Sequence, residues 1–215
     1  MNNDLSNYRK SYEKSELRKH NVPENPMELF QKWFYDVDKY FDVDEANAMS
    51  ISTFGLDSYP KTRIVLLKKY TYEGFIFYTN YNSEKGKAIE KNPNVCLNFF
   101  WHAAERQIVI KGQAEKIAEN LSDGYFESRP VGSQLGALAS DQSEVIESRE
   151  ALDEKLKALE TKYNNKEIPR PKYWGGYIVK PVEIEFWQGR PNRMHDRIRY
   201  KLDDDYNWII ERLQP

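Results

Sequence analysis

Arg193, His195, Arg197 and Arg199 share one parity near the end of the chain, separated by Met194, Asp196 and Ile198. An extended backbone would line all four along one face, because side chains alternate across a strand. Such a strip repels itself, and an anionic ligand relieves the repulsion. His195 adds an imidazole able to hold or donate a proton near neutral pH. A solvated edge strand is the plainer alternative for the same charges. The residues just upstream favour a site. Ile184, Phe186 and Gln188 alternate with Glu185 and Trp187, and Gly189 and Pro191 turn the chain directly before the cations.

A second candidate lies at Ser83, which suits a helix N-cap and is followed within one turn by Lys85 and Lys87. Lysines there oppose the helix dipole. A bound phosphate reverses that cost, since free N–H groups and cations converge on it. The alternative is a solvent-exposed helix with ordinary surface charge. His20, His102 and His195 are scattered without metal-ligand spacing, so no metal is expected.

Composition bounds the function. A chain of 215 residues, 40% hydrophobic and 31% charged, suits one soluble globular domain. The net charge of −2 argues against nucleic acid as the main partner. Cys96 is the only cysteine, which excludes an internal disulfide and fits a reducing, cytoplasmic compartment. In Val95-Cys96-Leu97 it reads as a small hydrophobe of a buried strand. No apolar run approaches membrane-spanning length, and Met1 to Glu16 lacks a signal-peptide core, so no membrane partner is expected.

The elements that must position these residues follow from periodicity. Residues 1–25 are polar and read as a flexible N-terminal segment, with 26–215 as a single domain. Pro26 to Phe41 repeats apolar residues at helical spacing. Strands are expected over Ala46–Leu56, Arg63–Lys68, Phe75–Thr79, Val95–Trp101 and Arg106–Glu115, then Tyr177–Val179, Val182–Gln188, Met194–Leu202 and Trp208–Leu213. Short turns between successive strands imply an antiparallel meander. Region 118–163 is largely helical, with one short helix stopped by Pro130 and a charged one over Glu144–Tyr163 carrying Leu152, Leu156 and Leu159 as its apolar stripe.

Glu185-Phe186-Trp187-Gln188-Gly189, followed by Arg193-Met194-His195-Asp196-Arg197, closely resembles the C-terminal signature of the pyridoxamine 5′-phosphate oxidases. The resemblance extends from Arg9 to Pro215. The ending Arg212-Leu213-Gln214-Pro215 matches the family terminus, so the chain is expected to be complete. It implies a mainly β fold with peripheral helices, the antiparallel split β-barrel that binds flavin mononucleotide (FMN), assembled as a homodimer with each flavin site built from both chains. The implied reaction oxidises pyridoxamine 5′-phosphate or pyridoxine 5′-phosphate to pyridoxal 5′-phosphate. A hydride passes from C4′ to the flavin N5, and O2 is reduced to hydrogen peroxide.

By the same resemblance, Arg63, Ile64, Val65, Leu66, Leu67, Lys68, Tyr78, Thr79, Lys85, Gln107, Gln142, Ser143, Trp187 and Arg197 would hold the flavin. Lys68, Tyr125, Arg129 and Ser133 would hold the substrate phosphate, as a guanidinium, an ammonium and hydroxyls can without a metal. Arg193 and His195 would position the substrate ring and serve as the catalytic pair. Arg9 and Tyr12 match a family segment that folds over substrate, which sets a lid against the plain tail. Arg63 and Lys68 have opposite parity, so a regular strand would separate them unless a bulge intervenes. Glu84 departs from the family, which usually has a second cation beside Lys85. Two alternatives share parts of this pattern: a phenazine-biosynthesis type of split-barrel oxidase, which would lack the substrate-phosphate set, and a non-catalytic carrier of vitamin B6 phosphates.

Overall fold

The computed structural model describes residues 4–215. In chain order its elements are α1 (Pro26–Tyr40), β1 (Ala48–Phe54), β2 (Pro60–Leu66), β3 (Lys69–Thr71), β4 (Gly74–Asn80), α2 (Glu84–Lys91), β5 (Asn94–Trp101), β6 (Arg106–Lys116), α3 (Glu119–Glu127), α4 (Val131–Ala139), α5 (Arg149–Lys162), β7 (Trp174–Gln188), β8 (Asp196–Leu202) and β9 (Trp208–Leu213). Short 3₁₀ turns occupy Lys19–Asn21, His102–Ala104 and Pro191–Arg193. The strands form one sheet in the order β2-β1-β5-β6-β7-β4-β3, with β8 and β9 added beside β7. The pairings β3–β4, β4–β7, β7–β8 and β8–β9 are antiparallel.

The chain divides into a terminal unit, made of the residues up to Met49 with Leu97–Lys111 and Pro181–Pro215, and a central unit, Ser50–Cys96 with Gly112–Lys180. In the terminal unit, Asn25 caps α1 by accepting the Met27 N–H, and Pro26 fills the first turn. The helix buries Leu29, Phe30, Trp33 and Val37. Phe30 meets Phe99 edge-on at 5.3 Å between ring centres, and Trp33 meets Phe186 in the same way at 5.3 Å. Each such large side chain contributes about 1.5–3 kcal/mol on burial. The Arg106 guanidinium lies 4.6 Å over the Trp33 ring and bonds Asp36 at 3.2 Å and Gln188 at 3.1 Å.

In the central unit, Phe126, Leu135, Ile168 and Trp174 form a buried cluster, on which Leu156 and Leu159 of α5 pack. Gly74, at φ 154°, begins β4 where an added Cβ would lie 2.1 Å from the Val179 carbonyl oxygen. Only glycine permits that approach.

Several sequence expectations need correction. Tyr177–Val179 and Val182–Gln188 are parts of one fifteen-residue strand, β7. Its first half pairs with β4, from Phe75↔Val179 to Asn80↔Trp174, and its second half with β8, from Glu183↔Lys201 to Gln188↔Asp196. The strand expected over Met194–Leu202 begins only at Asp196, because Asn192 (φ 56°) and Arg193 (φ 61°) are left-handed. Arg193 and His195 therefore stand in the turn, not on a strand face. Arg197 and Arg199 do share a face, but glutamates satisfy them: Glu185 grips Arg197 at 2.7 and 3.0 Å, and Glu211 bonds Arg199 at 2.9 and 2.5 Å. The four-cation strip is thus half turn and half ion-pair ladder. Cys96 is half-buried between the buried Val95 and Leu97. The helix expected over Glu144–Tyr163 starts at Arg149, capped by Ser148, and the Val131–Ala139 helix lies inside the region expected to be largely helical, though as a separate helix it was not foreseen.

Candidate active site

A cleft of about 1030 Å³ opens in the central unit, walled by β2, the end of β4, the start of α2, and α3 with α4. Its lining includes Arg63, Ile64, Val65, Leu66, Lys68, Tyr78, Thr79, Lys85, Tyr125, Arg129, Ser133, Gln142 and Ser143. Residues drawn from six separate stretches of sequence thus meet at one surface. Leu67 instead points into the core, 4% exposed. The parity conflict between Arg63 and Lys68 resolves because β2 ends at Leu66, after which the Lys68 N–H donates to the Ile76 carbonyl at 2.8 Å. The chain bends there, and both side chains face the cleft.

Ser83 caps α2 as its residue type suggests, accepting the Gly86 N–H at 3.3 Å. Lys85 follows in the first turn, 6% exposed, with its ammonium 3.3 Å from Thr79 Oγ1 and 3.4 Å from Ser83 Oγ. Burial, reinforced by Arg63, lowers its pKa to about 8, against a partial opposing pull from Glu84. Arg63 uses Nη1 to bond Thr53 Oγ1 and the Lys61 carbonyl, both at 2.8 Å, and burial lowers its pKa. Arg129, just past α3, stacks its guanidinium 4.6 Å from the Trp174 ring centre, and its buried Nη1 has no hydrogen-bond partner. Burial lowers this group too. Among the described residues none of these three cations forms an ion pair. Buried cations lacking counter-charge are costly and call for an anion.

The aromatic wall is ordered. Tyr125 lies 3.9 Å from Tyr78, and Trp174 continues the stack at 5.5 Å from Tyr78, with planes within 19° and 12°. Sequence reasoning missed Trp174 and Lys61. Trp174 carried a signal only as the opening of the Trp-Gly-Gly strand. Lys61 lines the cleft and pairs with Glu84 and, at 3.1 Å, Asp57. Ser143, a cofactor candidate, has a left-handed backbone at φ 76°, an unusual state that concentrates at functional sites.

Gln107, Trp187, Arg193, His195 and Arg197 belong to the terminal unit. Gln107 donates to Asn98 at 2.7 Å. The His195 ring lies 4.7 Å from Trp187, and its Nδ1 accepts the Arg190 N–H at 3.1 Å. That bond leaves the neutral ring's proton on Nε2. Burial, then the neighbouring Arg193, lowers the His195 pKa despite Asp196. Tyr12 is half-buried, its ring 5.8 Å from Trp187 and 5.9 Å from His195, whereas Arg9 is exposed and bonds the Ser6 carbonyl at 3.3 Å. No cluster of three or more metal-ligating side chains occurs among the described residues, nor any helix long and apolar enough to cross a membrane.

Antiparallel strands with peripheral helices fit the split-barrel class, and the cleft in the central unit is lined by cations. The chain belongs to the pyridoxamine 5′-phosphate oxidase family. Residues 38–163 match the family model described as pyridoxamine 5′-phosphate oxidase, and residues 174–215 the pyridoxine 5′-phosphate oxidase C-terminal dimerisation region. It is 68% identical over 212 residues to a pyridoxine/pyridoxamine 5′-phosphate oxidase of Flavobacterium psychrophilum, covering 99% of each chain. Identity to the enzyme of the same name from Flavobacterium johnsoniae is 64% over 211 residues, covering 98% of this chain and 99% of that one. Among solved structures, PhzG from Burkholderia lata, in complex with tetrahydrophenazine-1-carboxylic acid, superposes with a TM-score of 0.85 at 29% identity, covering 91% of this chain and 95% of that one.

Proposed function

We propose that this protein is an FMN-dependent oxidase converting pyridoxamine 5′-phosphate or pyridoxine 5′-phosphate to pyridoxal 5′-phosphate, with O2 reduced to hydrogen peroxide. The observation that carries this reading is the set of unpaired cations in one cleft, above all the partnerless buried Nη1 of Arg129. The cleft's volume of about 1030 Å³ stands at the top of the range for small-molecule sites and suits a ligand of flavin size. Arg63 and Lys85, at the α2 N-terminus, would hold the cofactor phosphate. Lys68, Tyr125, Arg129 and Ser133 would hold the substrate phosphate, the guanidinium giving direction and the ammonium charge.

When bound, FMN supplies the two-electron acceptor that passes its electrons on to O2. The chain's own task is to bind, orient and place charge. His195, kept neutral with its proton on Nε2, offers a donor to the substrate's phenolic oxygen. Arg193 adds positive charge beside it. The match to a dimerisation region supports a homodimer, and the resemblance implies that its flavin sites would draw on both chains. A cytoplasmic location fits the lone cysteine.

The test is aerobic incubation of purified protein with pyridoxamine 5′-phosphate, reading pyridoxal 5′-phosphate and peroxide together. FMN, not the dinucleotide, should be released on denaturation, and phosphate-free pyridoxamine should be a poor substrate. Flavin uptake without turnover of the phosphorylated amine would point to the phenazine-type alternative. Binding of B6 phosphates without flavin would point to a carrier.

A further inference from the structure

We propose that Glu105 is a positioning residue whose carboxylate latches the N-terminal segment, so that Tyr12 is held against His195 and Trp187. Glu105 is 3% exposed and sits at φ 55° in the turn before β6. Its Oε2 accepts two backbone N–H groups, from Glu13 at 2.8 Å and Lys14 at 3.0 Å, and Lys10 approaches Oε1 at 3.9 Å. Lys14 adds a bond from its ammonium to the Ala103 carbonyl at 2.6 Å. Beyond Tyr12 the chain is tied again, by Leu17 N–H to Asp196 at 3.1 Å and by Arg190 to the Ser15 carbonyl at 3.1 Å.

Between these ties the Tyr12 ring lies so close to Gly189 that an added Cβ there would meet it at 2.8 Å. Except for Tyr12, residues 4–14 expose their side chains, so little apolar burial holds them down. Charge-assisted bonds to a buried carboxylate are the strong restraint available, and a carboxylate that accepts both N–H groups fixes the backbone directly after the tyrosine, with the Lys10 ammonium approaching it from the residues before. The latch itself stands on these contacts; its catalytic value rests on the reading above that Tyr12 and His195 face substrate.

The test compares Glu105→Met, which keeps volume but removes the acceptors, with Glu105→Gln, which keeps one. Each is made in the full chain and in a chain lacking residues 1–15. In the full chain, Glu105→Met should speed tryptic cleavage after Lys10 and Lys14 by about ten-fold. It should also raise the KM for pyridoxamine 5′-phosphate more than it lowers kcat, while Glu105→Gln stays near wild type. In the truncated chain neither substitution should change KM further. Unaltered cleavage in Glu105→Met, or an equal KM rise with and without residues 1–15, would overturn the latch. Faster cleavage in a protein whose wild type shows no oxidase activity would uphold the latch and remove the functional reading instead.

Discussion

The cleft cations of the central unit and the arginines of the terminal unit's sheet meet opposite fates. In the central unit Arg63, Lys85 and Arg129 are buried or half-buried without carboxylate partners, and burial lowers the pKa of each. In the terminal unit Arg106, Arg197, Arg199 and Arg212 close on Asp36, Glu185, Glu211 and Asp196. There the carboxylates raise Arg197 and Arg199 above the ordinary arginine value. An unpaired charge held away from water costs several kcal/mol. A fold bears that cost where a ligand completes the pairing and avoids it elsewhere by supplying its own counter-charge. Density of positive charge along the sequence therefore says less about a site than whether those charges lack an acid bonded to them.

Breaking the comparison at its strongest point should have the largest effect. Arg129→Ala should reduce kcat/KM for pyridoxamine 5′-phosphate by ~10²-fold. The melting temperature should hold or rise, since a partnerless buried group is removed. Unchanged kcat/KM with lowered stability would place Arg129 among the structural cations. The converse variant, Arg106→Ala, leaves Asp36 without its partner and should cost about 3–5 kcal/mol in denaturant unfolding. FMN affinity of the protein that remains folded should be retained.

Protonation sharpens the contrast. Lys85 titrates at about 8 in the folded chain against an ordinary 10.5. Between those values the unfolded chain keeps the proton that the folded one has lost, so apoprotein stability should rise with pH across that window. A bound phosphate favours the charged ammonium, so FMN affinity should fall above about pH 8, by at most ~10-fold per pH unit. Fluorescence titration from neutral to alkaline pH reads this, and Lys85→Met should flatten the profile. A wild-type profile already flat would mean that Lys85 stays away from the phosphate.

The smallest effect belongs to Glu84, the one acid in the cleft's first helical turn, which is paired with Lys61. Glu84→Arg should tighten FMN binding about two- to five-fold at low salt and less at high salt. Equal affinity at both salts would show that Lys61 already cancels the carboxylate.

Much of this was legible locally. The Ser83 cap, the α1 stripe and the strand alternation at Ile184, Phe186 and Gln188 depend on neighbours within a turn or a strand, and they appear where the residue types put them. Resemblance, not periodicity, picked out the residues that line the cleft. What escaped depended on distant partners. Arg193 and His195 alternated like strand residues, but the left-handed Asn192 and Arg193 broke the register. The two strands expected on either side of Lys180 and Pro181 are one, paired with β4 before these residues and with β8 after them. Helix α4 fell within the region read as largely helical, but no charged face marks its period, so its bounds were not legible. Glu105 looks like any turn acid until Glu13 and Lys14, some ninety residues earlier, are seen to bond it.

The length of β7 bears on how the chain folds. Its second half pairs with β8 across a short connection, Gln188 facing Asp196, whereas its first half must find β4, Val179 facing Phe75. Closing a loop roughly ten times longer costs about 2 kcal/mol more in chain entropy. The meander of β7, β8 and β9 should therefore assemble early, with the β4 pairing as the slow, topology-limited step. In pulse-labelled refolding, the amides of 183–188 should gain protection from exchange before those of 174–179, so that one continuous strand is completed in two stages.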